Sequence, residues 1–283
     1  MKFILSLIAM IAISGFAATS SSRCSLEYSM KPLCYHKRDT AHLNIALVYY
    51  GASMKIEDLD RIAPKLQSRF LKANGNAISL NILDKRVMSF KHKLPSDFKV
   101  ENVTDPKRLH RIWYYENLGP NVMTEIYNEY KNITKKETLG KLDAIIAITG
   151  AQFNGLGFAN GRVSVTEYPQ EIAWGLPGGG RVNYASDYRI IDELIHELGH
   201  NMFLGHTSTQ CQKPGMTLEQ RRQCCEQSEN KNDVLSYCRN RSIVDENFMH
   251  GFESCNRDMI SKKVVPAILR GGNWRISNRT RCR

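Results

Sequence analysis

Between residues 35 and 210 this 283-residue sequence has no cysteine, and after residue 17 it has no apolar run long enough to cross a bilayer. The first absence means that the middle of the chain must fold on a hydrophobic core without covalent help. The second leaves no membrane span in the body of the chain. There is no internal repeat, no low-complexity tract and no long run of like charge, which sets aside solenoids and charged tails. Gly178-Gly179-Gly180 lacks a Gly-Lys-Ser/Thr ending and has the wrong spacing for a dinucleotide fingerprint, so it reads as a loop and not a phosphate cradle. Acidic residues are comparatively few, 28 Asp and Glu against 39 Lys and Arg, for a formal charge of +11. Such a surface favours acidic partners without naming one, and with no nucleic-acid motif present, nucleic acid is not an expected partner.

What is present begins with a leader. Lys2 precedes an apolar stretch at residues 3–16, and Gly15-Phe16-Ala17 supplies small residues for a cleavage site. Residues 1–17 read as a signal peptide, so the mature protein is expected to be secreted, extracellular or periplasmic, with no span after cleavage. All eight cysteines follow the leader, and six of them lie between 211 and 282. An even number in an exported chain implies disulfides, and a last third with little regular structure held by them. Sequons stand at Asn102, Asn132, Asn240 and Asn278.

Strand patterns fall at residues 43–50, 77–87, 142–149 and 162–167, and helical patterns at 56–73, 122–131 and 186–202. Strands alternating with helices predict an α/β (α+β) fold with a mixed twisted sheet. The alternation at 162–167 suits a sheet edge.

The third helix contains His196-Glu197-Leu198-Gly199-His200. Histidines four apart lie one turn apart on one helix face, so both imidazoles can bind one metal ion. Ile191, Leu194, Ile195, Leu198 and Met202 form the apolar stripe, and the two histidines point away from it. Glu197 lies beside the pair, where a carboxylate can act on water instead of ligating metal. The pattern arises by chance about once per hundred chains of this length, which favours a metal site over a solvated helix face.

The longer segment, His196 to His206 (HELGHNMFLGH), resembles the extended zinc motif of the metzincin metalloproteases. The resemblance implies zinc held by His196, His200 and His206, with Glu197 as general base on a zinc-activated water. It also implies an endopeptidase acting on proteins or peptides. One position departs from the family pattern: Phe203 stands where Gly usually lets the chain leave the helix. If the helix ran on, His206 would fall too far round to join the metal. A break is required, and Gly205 is the expected place, helped by a strained Phe203. Downstream, Asn247-Phe248-Met249-His250-Gly251 resembles the family's Met-turn, and a helical pattern follows through Met259, Ile260, Val264 and Ile268. That arrangement is closest to the pappalysin and adamalysin branches. A competing turn, Asp233-Val234-Leu235-Ser236-Tyr237-Cys238, has Leu235 where Met is expected. The family's substrate-pairing edge strand would map onto residues 162–167. Lys31-Pro32-Leu33-Cys34 resembles segments in which a propeptide thiolate fills the open zinc position, although a disulfide, such as Cys24 with Cys34, competes for that cysteine.

The division that follows is a signal peptide at 1–17, an N-terminal segment at 18–42, an upper catalytic subdomain at 43–206 and a lower disulfide-rich subdomain at 207–283, in a monomer. Three rivals stand beside this reading. One is a gluzincin-like zinc peptidase whose third ligand is a carboxylate such as Glu219 or Glu226. The others are a protease-like binding module without turnover and a cysteine-rich toxin or adhesin with a surface HExxH.

Overall fold

Five strands form one sheet in a computed structural model that describes residues 23–24, 33–51, 54–90, 94–106, 121–149, 157–159, 161–167, 187–240 and 243–274, with isolated positions between 109 and 116. The leader and the triple glycine lie outside the described residues. The strands are β3 (His42–Tyr50), β4 (Ser79–Met88), β5 (Ala144–Thr149), β6 (Gly157–Ala159) and β7 (Val163–Glu167), in the order β4-β3-β5-β7-β6. A small antiparallel pair, β1 (Arg23–Cys24) with β2 (Cys34–Tyr35), sets Cys24 opposite Cys34.

The central strands are near-continuous apolar runs because both of their faces are covered. Leu43, Ile45, Leu47 and Tyr49 of β3 enter one core cluster with helices α1 (Ile56–Ala73) and α3 (Asp187–Asn201). Ala46, Val48 and Tyr50 enter the other with helix α2 (Val122–Ile133). The α1/α3 cluster also takes in Val234, Leu235, Phe252, Ile260, Val264 and Ile268, so one core runs across residue 206. Strands β3/β4, β3/β5 and β5/β7 pair in parallel, and β6/β7 antiparallel.

Two expectations are corrected here. Residues 162–167 are not the sheet edge: β7 lies between β5 and β6, and the antiparallel edge is the three-residue β6. The alternation of β7 is real, but its polar side is buried instead of wet. Val163 and Val165 face the α2 cluster, while Ser164 and Thr166 point to the opposite face, which α3 covers, and are 0% and 1% exposed. The last third also has more regular structure than its cysteine content suggested. Helix α4 (Leu218–Gln227) begins in a capping box, with Thr217 Oγ1 accepting from Gln220 N and Gln220 Oε1 from Thr217 N. It buries no residue, so no apolar stripe announced it. Helix α5 (Ser254–Met259) passes through a π turn (Ile260–Val264) into α6 (Val265–Leu269).

Disulfides Cys211–Cys224 and Cys225–Cys238 fasten α4 to the loops on either side of it. Cys34 is also disulfide-bonded and fully buried, in the α2 cluster on the opposite face of the sheet from α3. It is therefore not a free thiol available to the histidines. Bonded cysteines fit an oxidising compartment. Among the described residues no helix is long and apolar enough to cross a membrane.

Candidate metal centre

Helix α3 is buried almost all round, and of its last ten residues only His200 keeps partial exposure. Its apolar stripe packs on the sheet, and its other side meets a turn formed by residues 233–237. Gly199 makes that close approach possible. A Cβ there would lie 2.9 Å from the Phe252 ring and 3.1 Å from the Leu235 side chain, so any side chain would force one or both to shift.

The chain leaves α3 through a Schellman motif. Leu204 N donates to Gly199 O at 3.0 Å and Phe203 N to His200 O at 2.9 Å, with Phe203 left-handed at φ 68°. The break is therefore two residues before Gly205, which is not among the positive-φ residues, and falls on Phe203, the residue expected to be strained. A non-glycine residue in that region carries strain of about 1–3 kcal/mol, held here by the core contacts of the Phe203 ring.

That exit swings His206 back beside the pair on the helix. The three Nε2 atoms lie 3.1 Å (His196–His200), 3.0 Å (His200–His206) and 3.3 Å (His196–His206) apart. Nδ1 of His196 donates to Val234 O at 2.7 Å, and Nδ1 of His200 to Leu204 O at 3.0 Å. Those bonds place the ring protons of His196 and His200 on Nδ1 and leave their Nε2 lone pairs facing each other and the Nε2 of His206. Converging lone pairs repel unless a cation lies between them. Tetrahedral zinc with Zn–N near 2.0–2.1 Å needs an N–N edge of about 3.3 Å, and the three observed edges fit.

Burial holds the His196 imidazole well below the usual histidine pKa, aided by the Arg239 charge and then by His200. A ligand has to be neutral, so the environment favours the metal-binding form. Glu197 is 4% exposed, with Oε1 4.0 Å from His196 Nε2. It stands next to the histidine cluster without belonging to it. The carboxylate rivals are elsewhere. Glu219 and Glu226 lie on the exposed helix α4, where Arg222 reaches them at 3.0 and 3.9 Å.

The turn against helix α3 is 233–237, the competing segment with Leu235 where Met is expected. Val234 supplies the carbonyl for His196, Leu235 meets Gly199, and the Tyr237 ring lies 4.2 Å from that of His206. Asp233 shapes the turn by accepting from Leu235 N at 2.7 Å, Glu253 N at 2.7 Å and Asn256 Nδ2 at 3.1 Å. Met249 is partly buried against the same core cluster. His250, in the segment that resembles a Met-turn, is 1% exposed with Nδ1 3.1 Å from Asp192 of α3. Arg239 also reaches α3, at Glu193, and no sequence signal singled it out.

No family model and no curated protein matches the chain. Among solved structures it is similar to archaemetzincin from Methanopyrus kandleri, at 17% identity over 80% of this chain and 97% of that one, with TM-score 0.44. It is also similar to a zinc-dependent peptidase from Methanocorpusculum labreanum, at 15% identity over 75% and 97%, with TM-score 0.34. A third is metalloproteinase-II from Bacteroides fragilis, at 12% identity over 80% of this chain and 54% of that one, with TM-score 0.36. Likenesses this distant assign neither family nor activity, so the functional reading rests on the geometry of the three histidines and Glu197.

Proposed function

We propose that the chain is a secreted zinc endopeptidase of metzincin type. The observation that carries this reading is the convergence of three imidazole Nε2 atoms with a buried carboxylate beside them. His196, His200 and His206 would hold the ion and leave one position open, as catalytic zinc sites do. Zinc bound there supplies a Lewis acid that polarises a carbonyl and acidifies water. Glu197 takes the proton of the attacking water and returns it to the leaving amine. Burial keeps bulk water from competing for that carboxylate.

The substrate would be an extended segment of a protein or peptide. Strand β6 is the sheet edge nearest this chemistry, because Gly157 abuts Glu197. A peptide added to that edge would run past the carboxylate without needing a terminus there, which supports internal cleavage. The disulfides and the leader support export.

The test is metal analysis of the purified mature protein together with cleavage of a broad peptide library. One zinc per chain is expected, with internal cleavage abolished by a chelator and restored by zinc. Glu197→Gln should keep the metal and lose at least about a hundredfold in turnover, since it removes a base and not a ligand. Near-normal turnover in that variant, or wild-type protein without zinc, would overturn the reading.

A further inference from the structure

The Val234 carbonyl that orients His196 has a second donor. It accepts from His196 Nδ1 at 2.7 Å and from Arg239 Nη1, so both of its lone pairs are used. Arg239 is itself held by the helix that carries His196. Its Nη2 lies 2.5 Å from Glu193 Oε2 and its Nη1 3.5 Å from Asp192 Oδ2. Glu193 and Asp192 precede His196 by three and four residues, about one turn up the same helix. The contacts therefore close a ring: helix α3, His196, Val234 carbonyl, Arg239, Glu193 and Asp192, helix α3. All of its side chains are buried, with Arg239 1% exposed at the side chain.

A ring of this kind is a costly way to gain stability. Desolvating one guanidinium and two carboxylates costs several kcal/mol per ion, and well-packed apolar residues often do as well. What the ring does provide is geometry. A carbonyl with one donor can swing about its peptide plane, whereas one clamped between an imidazole and a fixed guanidinium cannot. The His196 ring is then fixed in tautomer and in tilt, with Nε2 aimed at the other two histidines.

We infer that Arg239 is a positioning residue for the metal centre, acting on His196 through the shared Val234 carbonyl. This rests on the proposed zinc site. It identifies a residue outside the HExxH segment, on the disulfide-bonded side of the chain, that sets metal affinity without touching the metal. Lysine cannot replace it, because one ammonium cannot bridge the carbonyl and both carboxylates in the plane that a guanidinium spans.

The experiment compares wild type with Arg239→Lys and with the charge-balanced double variant Glu193→Gln/Arg239→Gln, which leaves no unpaired ion of that pair if the single variant folds poorly. Zinc Kd is read by chelator competition, the visible spectrum after cobalt substitution reports ligand geometry, and apoprotein Tm reports folding. Losing such an outer partner weakens metal binding by about 10- to 100-fold. That loss is expected in whichever variant folds, with altered cobalt bands and no matching dependence on apoprotein Tm. A purely structural role would lower Tm and leave Kd and the cobalt spectrum as in wild type, and that result overturns the inference while the zinc site stands. Wild-type protein that binds neither ion overturns the zinc reading itself, and this inference with it.

Discussion

Gly157 of the edge strand lies directly against Glu197: a Cβ at 157 would stand 2.5 Å from Glu197 Oε1 and 2.7 Å from Val165 O. One of those atoms can swing away, but the other is backbone of the neighbouring strand. Gly157→Ala is therefore expected to displace either Glu197 or the edge strand, and both belong to the proposed catalytic step. The three histidines proposed to hold zinc are untouched. Metal content should remain at the wild-type level while kcat/KM falls by about tenfold or more, within the range attributable to a misplaced general base. Unchanged kcat/KM in a variant of wild-type Tm would show that the edge strand does not constrain the carboxylate.

The exit from helix α3 makes a second prediction. Phe203 is the left-handed residue, so the backbone there tolerates Gly and resists β-branching. Phe203→Val should cost about 1–3 kcal/mol and weaken zinc binding, because His206 is delivered by that turn. Phe203→Gly should keep zinc, its relieved strain partly offsetting the lost ring contacts. Zinc affinities measured by chelator competition check the order. Equal affinity in the Val and Gly variants would detach His206 from the turn.

These two positions show how far the sequence could be read. The His196/His200 pair was legible from spacing alone, since i and i+4 share a helix face whatever the surroundings. Strands β3 and β5 were legible because burial on both faces demands an unbroken apolar run. The place of the helix exit was not. Residue identity favoured Gly205, but the hydrogen bonds of Leu204 and Phe203 back to Gly199 and His200 require the left-handed residue at 203. Strand β6 has only three residues, too few for a period, and its pairing depends on β7 from later in the chain. The turn beneath the ligands was hidden by Leu235, because any apolar residue of similar volume fills the space against Gly199. Arg239 left no trace, since its partners are fixed only once 192–193 and 234–239 are brought together.

Three variants decide the third ligand. His206→Ala should release zinc to a mild chelator and lose activity together with the metal. Glu219→Ala and Glu226→Ala should keep both, since each side chain is exposed on α4, where Arg222 reaches both carboxylates and Gln223 Nε2 also donates to Glu219. Each loss on α4 should cost no more than about 1 kcal/mol of stability. Zinc retained in His206→Ala and lost in either glutamate variant would move the site to a carboxylate ligand.

Acid should destabilise the metal-free protein through His196. Folding holds this imidazole well below its unfolded pKa of 6.5, so below that pH the unfolded chain binds a proton that the folded chain does not. Stability is then full above about 6.5 and falls as pH drops, with a limiting slope of about 1.4 kcal/mol per pH unit for one proton. Asp143 and Asp233 act in the opposite sense, because burial raises their pKa values and the folded form gains from their protonation. The difference between wild type and His196→Gln in urea unfolding of apoprotein at pH 7.5, 6.5 and 5.5 isolates the histidine. Parallel pH profiles for the two proteins would contradict the assignment.

The two described bridges should separate stability from metal binding. Each joins cysteines 13 residues apart, so on the loop-entropy account their removal costs about the same, near 3 kcal/mol. Their neighbours differ. Cys238 stands between Tyr237, whose ring lies against His206, and Arg239, which shares the Val234 carbonyl with His196. Cys224, by contrast, is on the exposed helix α4, and Cys211 follows the ligand segment through a 3-10 turn (Thr209–Gln212). Cys225→Ser/Cys238→Ser is therefore expected to lower both Tm and zinc affinity, and Cys211→Ser/Cys224→Ser to lower Tm by a similar amount with a smaller change in affinity. Chelator competition at a temperature where both variants remain folded makes the comparison. Equal zinc affinities in the two variants would mean that the 233–239 turn holds its shape without the covalent anchor, and that packing of Leu235 and Phe252 against Gly199 is sufficient to keep it under the ligands.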